Sequence, residues 1–238
     1  MKTILAALRF TTILPLGQGE FNPRAMVAGM PLAGLIIGLL LAIFDWLAGA
    51  IWPPPAVAAL DLVFLAVITG GLHLDGVADT ADGLYGGRNR ESALAIMKDS
   101  RTGAIGVVAL VCCLAVKWAG LASLEEGRFV LLILVPAYAR AGSLFGFRML
   151  PYGRPEGGTA GAFFDESGSW RPLRWLVPVV VLSLLAGSGF LVINAGFLVI
   201  TAVMLWFYKQ KLNCITGDML GAMIEVTEAL LFLMVAAG

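Results

Sequence analysis

Asp75, Asp79 and Asp82 stand at offsets of 0, 4 and 7 within Gly71-Leu-His-Leu-Asp-Gly-Val-Ala-Asp-Thr-Ala-Asp-Gly83. On a helix turning about 100° per residue they fall within about 60° of one another, on one face. Three like charges on one face repel unless a cation joins them. Ligands that offer only oxygen suit Mg²⁺ or Mn²⁺. Lys98-Asp99-Ser100-Arg101 follows downstream. Its two cations can grip a diphosphate, with Asp99 placed to hold Arg101. Acids for a metal and bases for a phosphate, beside apolar segments, point to phosphoryl transfer at a bilayer edge. The competing reading makes the aspartates solvated loop charges or helix caps, and the cations membrane anchors.

Other residues can join this chemistry. His73 is the only histidine. An imidazole titrates near working pH and can take a proton from a hydroxyl nucleophile; a ring in the headgroup layer is the equal alternative. Gly76 and Gly83 flank the acids, and glycine lets a ligand approach the backbone closely. Asp218 and Glu225 are seven apart and share a face of the last apolar segment. Ionisable groups inside a span face a polar cavity or a partner. Asp218 can therefore hold a metal and Glu225 can meet substrate, or both can pair with Lys117 or Arg140, the two cations within spans. Arg154 lies in the Gly/Pro-rich stretch Leu150-Pro-Tyr-Gly-Arg154, a loop that can close over a bulky substrate or serve as a linker.

The elements that must position these groups are membrane helices. The 238 residues are 59% hydrophobic and 13% charged, where a soluble domain carries about 25% charge. Mean hydropathy is +0.90. One soluble core cannot hide so much apolar surface, but a bilayer can solvate it. We expect one all-α, polytopic integral membrane domain over 1–238. Its expected spans are 26–51, 55–72, 103–124, 129–149, 173–193, 195–209 and 219–237, with a short helix near the N-terminus. Seven spans put Lys2, Arg9, Arg24, Arg88, Arg90, Lys98, Arg101, Arg148, Arg154, Arg171, Arg174, Lys209 and Lys211 on one side, 13 of the 16 Lys and Arg. That asymmetry predicts a cytoplasmic acidic motif. Gly34-x-x-x-Gly38 allows close helix contact, within the chain or between copies of a homo-oligomer. No nucleic-acid partner is expected.

These stretches resemble the cobalamin synthase family, the adenosylcobinamide-GDP ribazoletransferases. Five motifs carry the likeness: Gly71 to Gly83, Ile96-Met-Lys-Asp-Ser-Arg-Thr-Gly103, Pro151-Tyr-Gly-Arg-Pro-Glu-Gly157, Thr216-Gly-Asp-Met-Leu-Gly-Ala222 and Leu8-Arg-Phe-Thr-Thr-Ile-Leu-Pro15. They run in order through nearly the whole chain. Val77, Thr102 and Gly153 depart from the pattern without removing a charge. The resemblance implies that α-ribazole, or its 5′-phosphate, attacks adenosylcobinamide-GDP and releases GMP. It also implies Mg²⁺ as cofactor and the bacterial inner membrane as location. In that frame Asp75, Asp79 and Asp82 hold Mg²⁺ on the diphosphate, and Asp218 and Glu225 hold a second metal or orient the nucleophile. Lys98 and Arg101 add fixed positive charge, and Asp82 or His73 takes the hydroxyl proton.

Two alternatives remain at this point. Asp-Gly-x-x-Ala also occurs in CDP-alcohol phosphotransferases, but there Arg follows Ala, where this chain has Asp79 after Ala78. An ion-coupled transporter would use Asp218, Glu225 and Glu228 at the midplane of two related halves. Here most acids gather at one face, and no repeat is visible.

Overall fold

A computed structural model gives the fold and describes residues 2–17, 19–154, 159–164 and 170–237. The end of the Pro151 to Gly157 motif, from Pro155, lies outside them. Among the described residues the chain is helical: α1 (Lys2–Thr11), α2 (Pro23–Gly49), α3 (Pro54–Ile68), α4 (Leu72–Gly86), α5 (Arg90–Ile96), α6 (Ala104–Ser123), α7 (Arg128–Met149), α8 (Leu176–Ser183), α9 (Gly189–Lys211) and α10 (Gly217–Ala236). Five of these, α2, α6, α7, α9 and α10, are long and apolar enough to cross a membrane. The all-α, polytopic expectation therefore holds.

Local chemistry sets the helix limits. Asn22 caps α2 by accepting the Ala25 N–H at 3.0 Å, with Pro23 in the first turn. Gly34 and Gly38 let α2 lie backbone to backbone on α7. A Cβ on Gly34 would sit 2.5 Å from the Ala137 Cα, and one on Gly38 2.4 Å from the Ile133 carbonyl. The small-residue pattern is thus used within the chain. α7 and α10 form the buried centre, while α6 and α9 turn apolar faces outward, including Val107, Val111, Leu198 and Trp206. That outer surface suits lipid.

Two expected spans differ. The one over 55–72 ends at Ile68, because Gly70 and Gly71 take φ of +61° and +69° and turn the chain. α4 then departs at 92° from α3, and the two are apolar enough to span only when taken together. The expected 173–193 span is not continuous. It is a 3₁₀ turn (Arg171–Trp175), α8 and a second 3₁₀ turn (Leu184–Ala186), closed by Gly187 at φ +58°. It still runs along α7: Trp170 meets Arg148 near one end of α7, and the Ala186 carbonyl lies beside Gly127 at the other. The predicted break at Asn194 is absent, because that side chain is satisfied inside α9. Its Nδ2 donates to the Phe190 carbonyl and the Ser183 hydroxyl, and its Oδ1 accepts the Tyr138 hydroxyl at 2.7 Å.

Candidate active site

Two helices bring the acids together. α4 crosses α10 where both are small: a Cβ on Gly76 would sit 2.6 Å from the Asp218 carbonyl, and one on Gly221 3.3 Å from the His73 Cα. Thr216 caps α10, accepting the Met219 N–H, and its hydroxyl donates to Asp218 Oδ2. Arg154 donates to the same oxygen at 2.7 Å. The segment carrying Arg154 is tied to the start of α10 by two backbone bonds, Gly153 N–H to the Ile215 carbonyl and Ile215 N–H to the Pro151 carbonyl. Asp79, half-buried on α4, feels the negative charges of Asp75, Asp218 and Asp82 against the single opposing charge of Arg154. Four carboxylates therefore share a region with one cation.

Asp82 is engaged differently from its neighbours. Its two oxygens accept the Gly103 N–H at 2.6 Å and the Gly106 N–H at 2.8 Å. It thus caps the first turn of α6 from another helix, satisfying donors that have no partner within α6. Glycine is required there: a Cβ at Gly103 or Gly106 would lie within 2.5 Å of the carboxylate.

Several expected site residues are placed elsewhere. Gly76 and Gly83 do not present backbone to a ligand. Gly76 is closed off by α10, and Gly83 by Met97 and Ala93 around α5, so both serve helix packing. Arg101 is fully outward, with its side chain 86% exposed and its guanidinium clamped on Asp99 at 2.6 Å. That contact holds the Asp99 carboxyl down at about 2. Lys98 and Ser100 are exposed on the same turn. The cation that stands among the acids is Arg154.

Glu225 belongs to a buried network. Lys117 donates to Glu225 at 2.5 Å and to Glu228 at 2.7 Å, and Arg140 donates to the other Glu228 oxygen at 3.1 Å. Two cations and two anions balance, which makes this the structural pairing the sequence left open. His73 stands at its border, buried, with Nδ1 3.9 Å from Glu225 and no hydrogen-bond partner. Its ring also lines a cleft with Asp75, Ser143, Phe147, Phe163 and Asp218. Phe147 and Phe163 line this cleft and were missed by the sequence reading, since a lone aromatic in an apolar helix or a Gly-rich stretch carries no signal of its own. At the far end of the bundle, Asp45 holds Arg128 in a two-pronged pair, and Arg128 also donates to the Leu121 and Leu124 carbonyls at the end of α6.

The donor set fits a hard divalent cation. It is all oxygen, crowded with like charge, and opposed by one guanidinium. Among the described residues no three acid, thiol or imidazole side chains already converge into a metal group. Asp75 is exposed and Asp79 half-buried, so rotation about their side-chain bonds is open to them.

Comparison with known proteins gives the family. The family model described as cobalamin-5-phosphate synthase matches residues 3–236. Adenosylcobinamide-GDP ribazoletransferase of Chlorobaculum parvum is 36% identical over 233 residues, covering 94% of this chain and 91% of that protein. The protein of the same name from Bradyrhizobium diazoefficiens is 35% identical over 249 residues, covering 100% and 95%. That from Chlorobaculum tepidum is 34% identical over 240 residues, covering 98% and 94%. No solved structure matches the chain. With near-complete coverage on both sides, the chain belongs to the cobalamin-5-phosphate synthase family.

Proposed function

We propose that the chain transfers the adenosylcobinamide-phosphate group from adenosylcobinamide-GDP to α-ribazole or its 5′-phosphate, releasing GMP, in vitamin B12 biosynthesis. The observation that carries this reading is the meeting of Asp75, Asp79, Asp218 and Arg154 where α4 crosses α10, in a chain of that family. Asp75, Asp79 and Asp218 would hold Mg²⁺, with Asp82 offering the lone pairs that its capping bonds leave unused. The ion supplies charge neutralisation of the diphosphate and of the phosphate leaving as GMP.

The chain's own residues do the rest. Arg154 fixes Asp218 and sets a positive charge beside the phosphates. Lys98 and Arg101, exposed at the rim, attract the anionic donor. Phe147 and Phe163 exclude water from the cleft wall. His73, in that wall, or Asp82 takes the proton of the attacking hydroxyl. The excess of Lys and Arg on the loops of this face supports a cytoplasmic site in a bacterial inner membrane.

The test uses purified protein in detergent with adenosylcobinamide-GDP, α-ribazole and Mg²⁺. GMP and adenosylcobalamin should form together, and EDTA should stop both. GMP release that persists undiminished in EDTA would remove the metal assignment. Absence of GMP with either acceptor would remove the reaction.

A further inference from the structure

We propose that the aromatic cluster beside the carboxylates is where the base of the acceptor nucleoside stacks, with Phe10 as the ring that meets it. This deepens the reaction proposed above and rests on it. The motif Leu8 to Pro15 runs from the end of α1 toward the start of α4. Gly29 lets α1 lie on α2, with the Thr3 carbonyl and Ala7 in the space a Cβ would fill. Beyond α1 the chain is pinned twice. Arg9 donates to the Leu16 carbonyl at 2.9 Å, and the Ile13 N–H donates to the Ile68 carbonyl at 2.9 Å, just ahead of Gly70 and α4. These contacts hold Phe10 in the wall of the cleft that also contains His73, Asp75 and Asp218.

Four rings from four segments meet there. Phe163, in the 3₁₀ turn Thr159–Phe163, has Phe10 at 4.9 Å, Phe21 at 6.0 Å and Phe147 at 6.2 Å between ring centroids. All three pairs are tilted or edge-on, so no ring is capped by a parallel neighbour among them. Phe163 is buried and anchors the group, whereas Phe10 is exposed and keeps ring surface for a ligand. The chemistry of the wall selects the occupant. Phe10, Met30, Phe147, Phe163 and Ile224 offer carbon, which suits a flat, neutral, apolar ring. The dimethylbenzimidazole of α-ribazole is such a ring, and once joined to ribose it has no N–H to satisfy. Guanine presents N–H groups that need acceptors, and Asp75 and Asp218 belong with the metal in that reaction. The Ser143 hydroxyl is turned to the Arg140 carbonyl at 2.7 Å. The corrin of the donor is ringed by amides, which a carbon wall leaves unpaired. A ribose hydroxyl placed among the acids then puts the base, carried by the same sugar, against Phe10.

The test measures KM and kcat of the purified protein in phosphatidylcholine nanodiscs, varying α-ribazole and adenosylcobinamide-GDP in turn. Phe10→Ala should raise the KM for α-ribazole by about fivefold to a hundredfold, the range for losing one stacked base. The donor KM, and kcat at saturating acceptor, should stay near wild type, as for a group that only binds. Phe10→Trp keeps a ring and should stay near wild type, whereas Phe10→Leu keeps only apolar volume and should remain impaired. Free dimethylbenzimidazole should compete with α-ribazole in the wild type and inhibit Phe10→Ala more weakly. Phe129→Ala removes an exposed ring at the other end of the bundle and should change neither KM. An unchanged α-ribazole KM in Phe10→Ala, a rise in the donor KM instead, full recovery with leucine, or inhibition competitive with the donor would each overturn the assignment. A wild type that releases no GMP with α-ribazole would overturn the underlying reaction as well.

Discussion

Asp79 and Asp82 sit one turn apart, yet they answer to different physics. Asp79 lies among like charges. Without metal, Asp79→Asn removes repulsion and should leave the thermal midpoint in EDTA unchanged or higher. With Mg²⁺ and substrates the same change should cut GMP release by more than about a hundredfold, since loss of a direct ligand exceeds the loss seen for supporting groups. Near-normal release in a folded Asp79→Asn protein would end its assignment as a ligand. Asp82 instead satisfies two N–H groups of α6. Asp82→Ala should destabilise the protein by about 1–2 kcal/mol, the worth of a helix cap, visible as a lower midpoint even in EDTA. The sequence shows three equivalent aspartates because spacing alone encodes only a shared face. Which of them meets a backbone amide depends on where Gly103 and Gly106 return, 21 and 24 residues later.

At the scale of elements, the site depends on α4 meeting α10 closely and on a buried charge network that holds α10 to α6 and α7. Lys117, Arg140, Glu225 and Glu228 come from those three helices. Glu228 receives both cations, so Glu228→Ala leaves buried positive charge uncompensated. It should cost about 3–5 kcal/mol, read as an earlier loss of folded protein on heating in detergent. A midpoint equal to wild type would mean the network is solvated and adds little. The α4–α10 crossing was not legible in the sequence. Gly76 reads as a ligand-approach glycine, because the partner that needs the space is more than 140 residues away. α2 against α7 was more legible, since Gly34-x-x-x-Gly38 announces close packing, though not with which helix.

The whole molecule gathers its exposed and half-buried charge at two ends. The acidic motif, Arg154 and the exposed turn Lys98 to Arg101 gather at one end, and the Asp45–Arg128 pair closes the other. Lys and Arg on the loops predict that the first end faces the cytoplasm. In a protein whose native cysteines are replaced, a cysteine at Ser100 should react with an impermeant maleimide only from the cytoplasmic side, and one at Glu125 only from the opposite side. Both positions are exposed. The reverse pattern would invert the topology and move the chemistry across the membrane.

The sequence by itself determined what the chain is made to do: a membrane bundle, acids spaced on one helical face, and ordered motifs of one family. Those are properties of composition and of local period, which need no partner segment to be read. Only the tertiary structure decided that Asp82 caps α6, that Arg154 rather than Arg101 stands among the acids, that Glu225 is tied to Lys117, and that α9 runs unbroken through Asn194. Each of these is settled by a contact between segments distant in the chain, or by a side chain such as Asn194 finding its hydrogen bonds on a neighbouring helix.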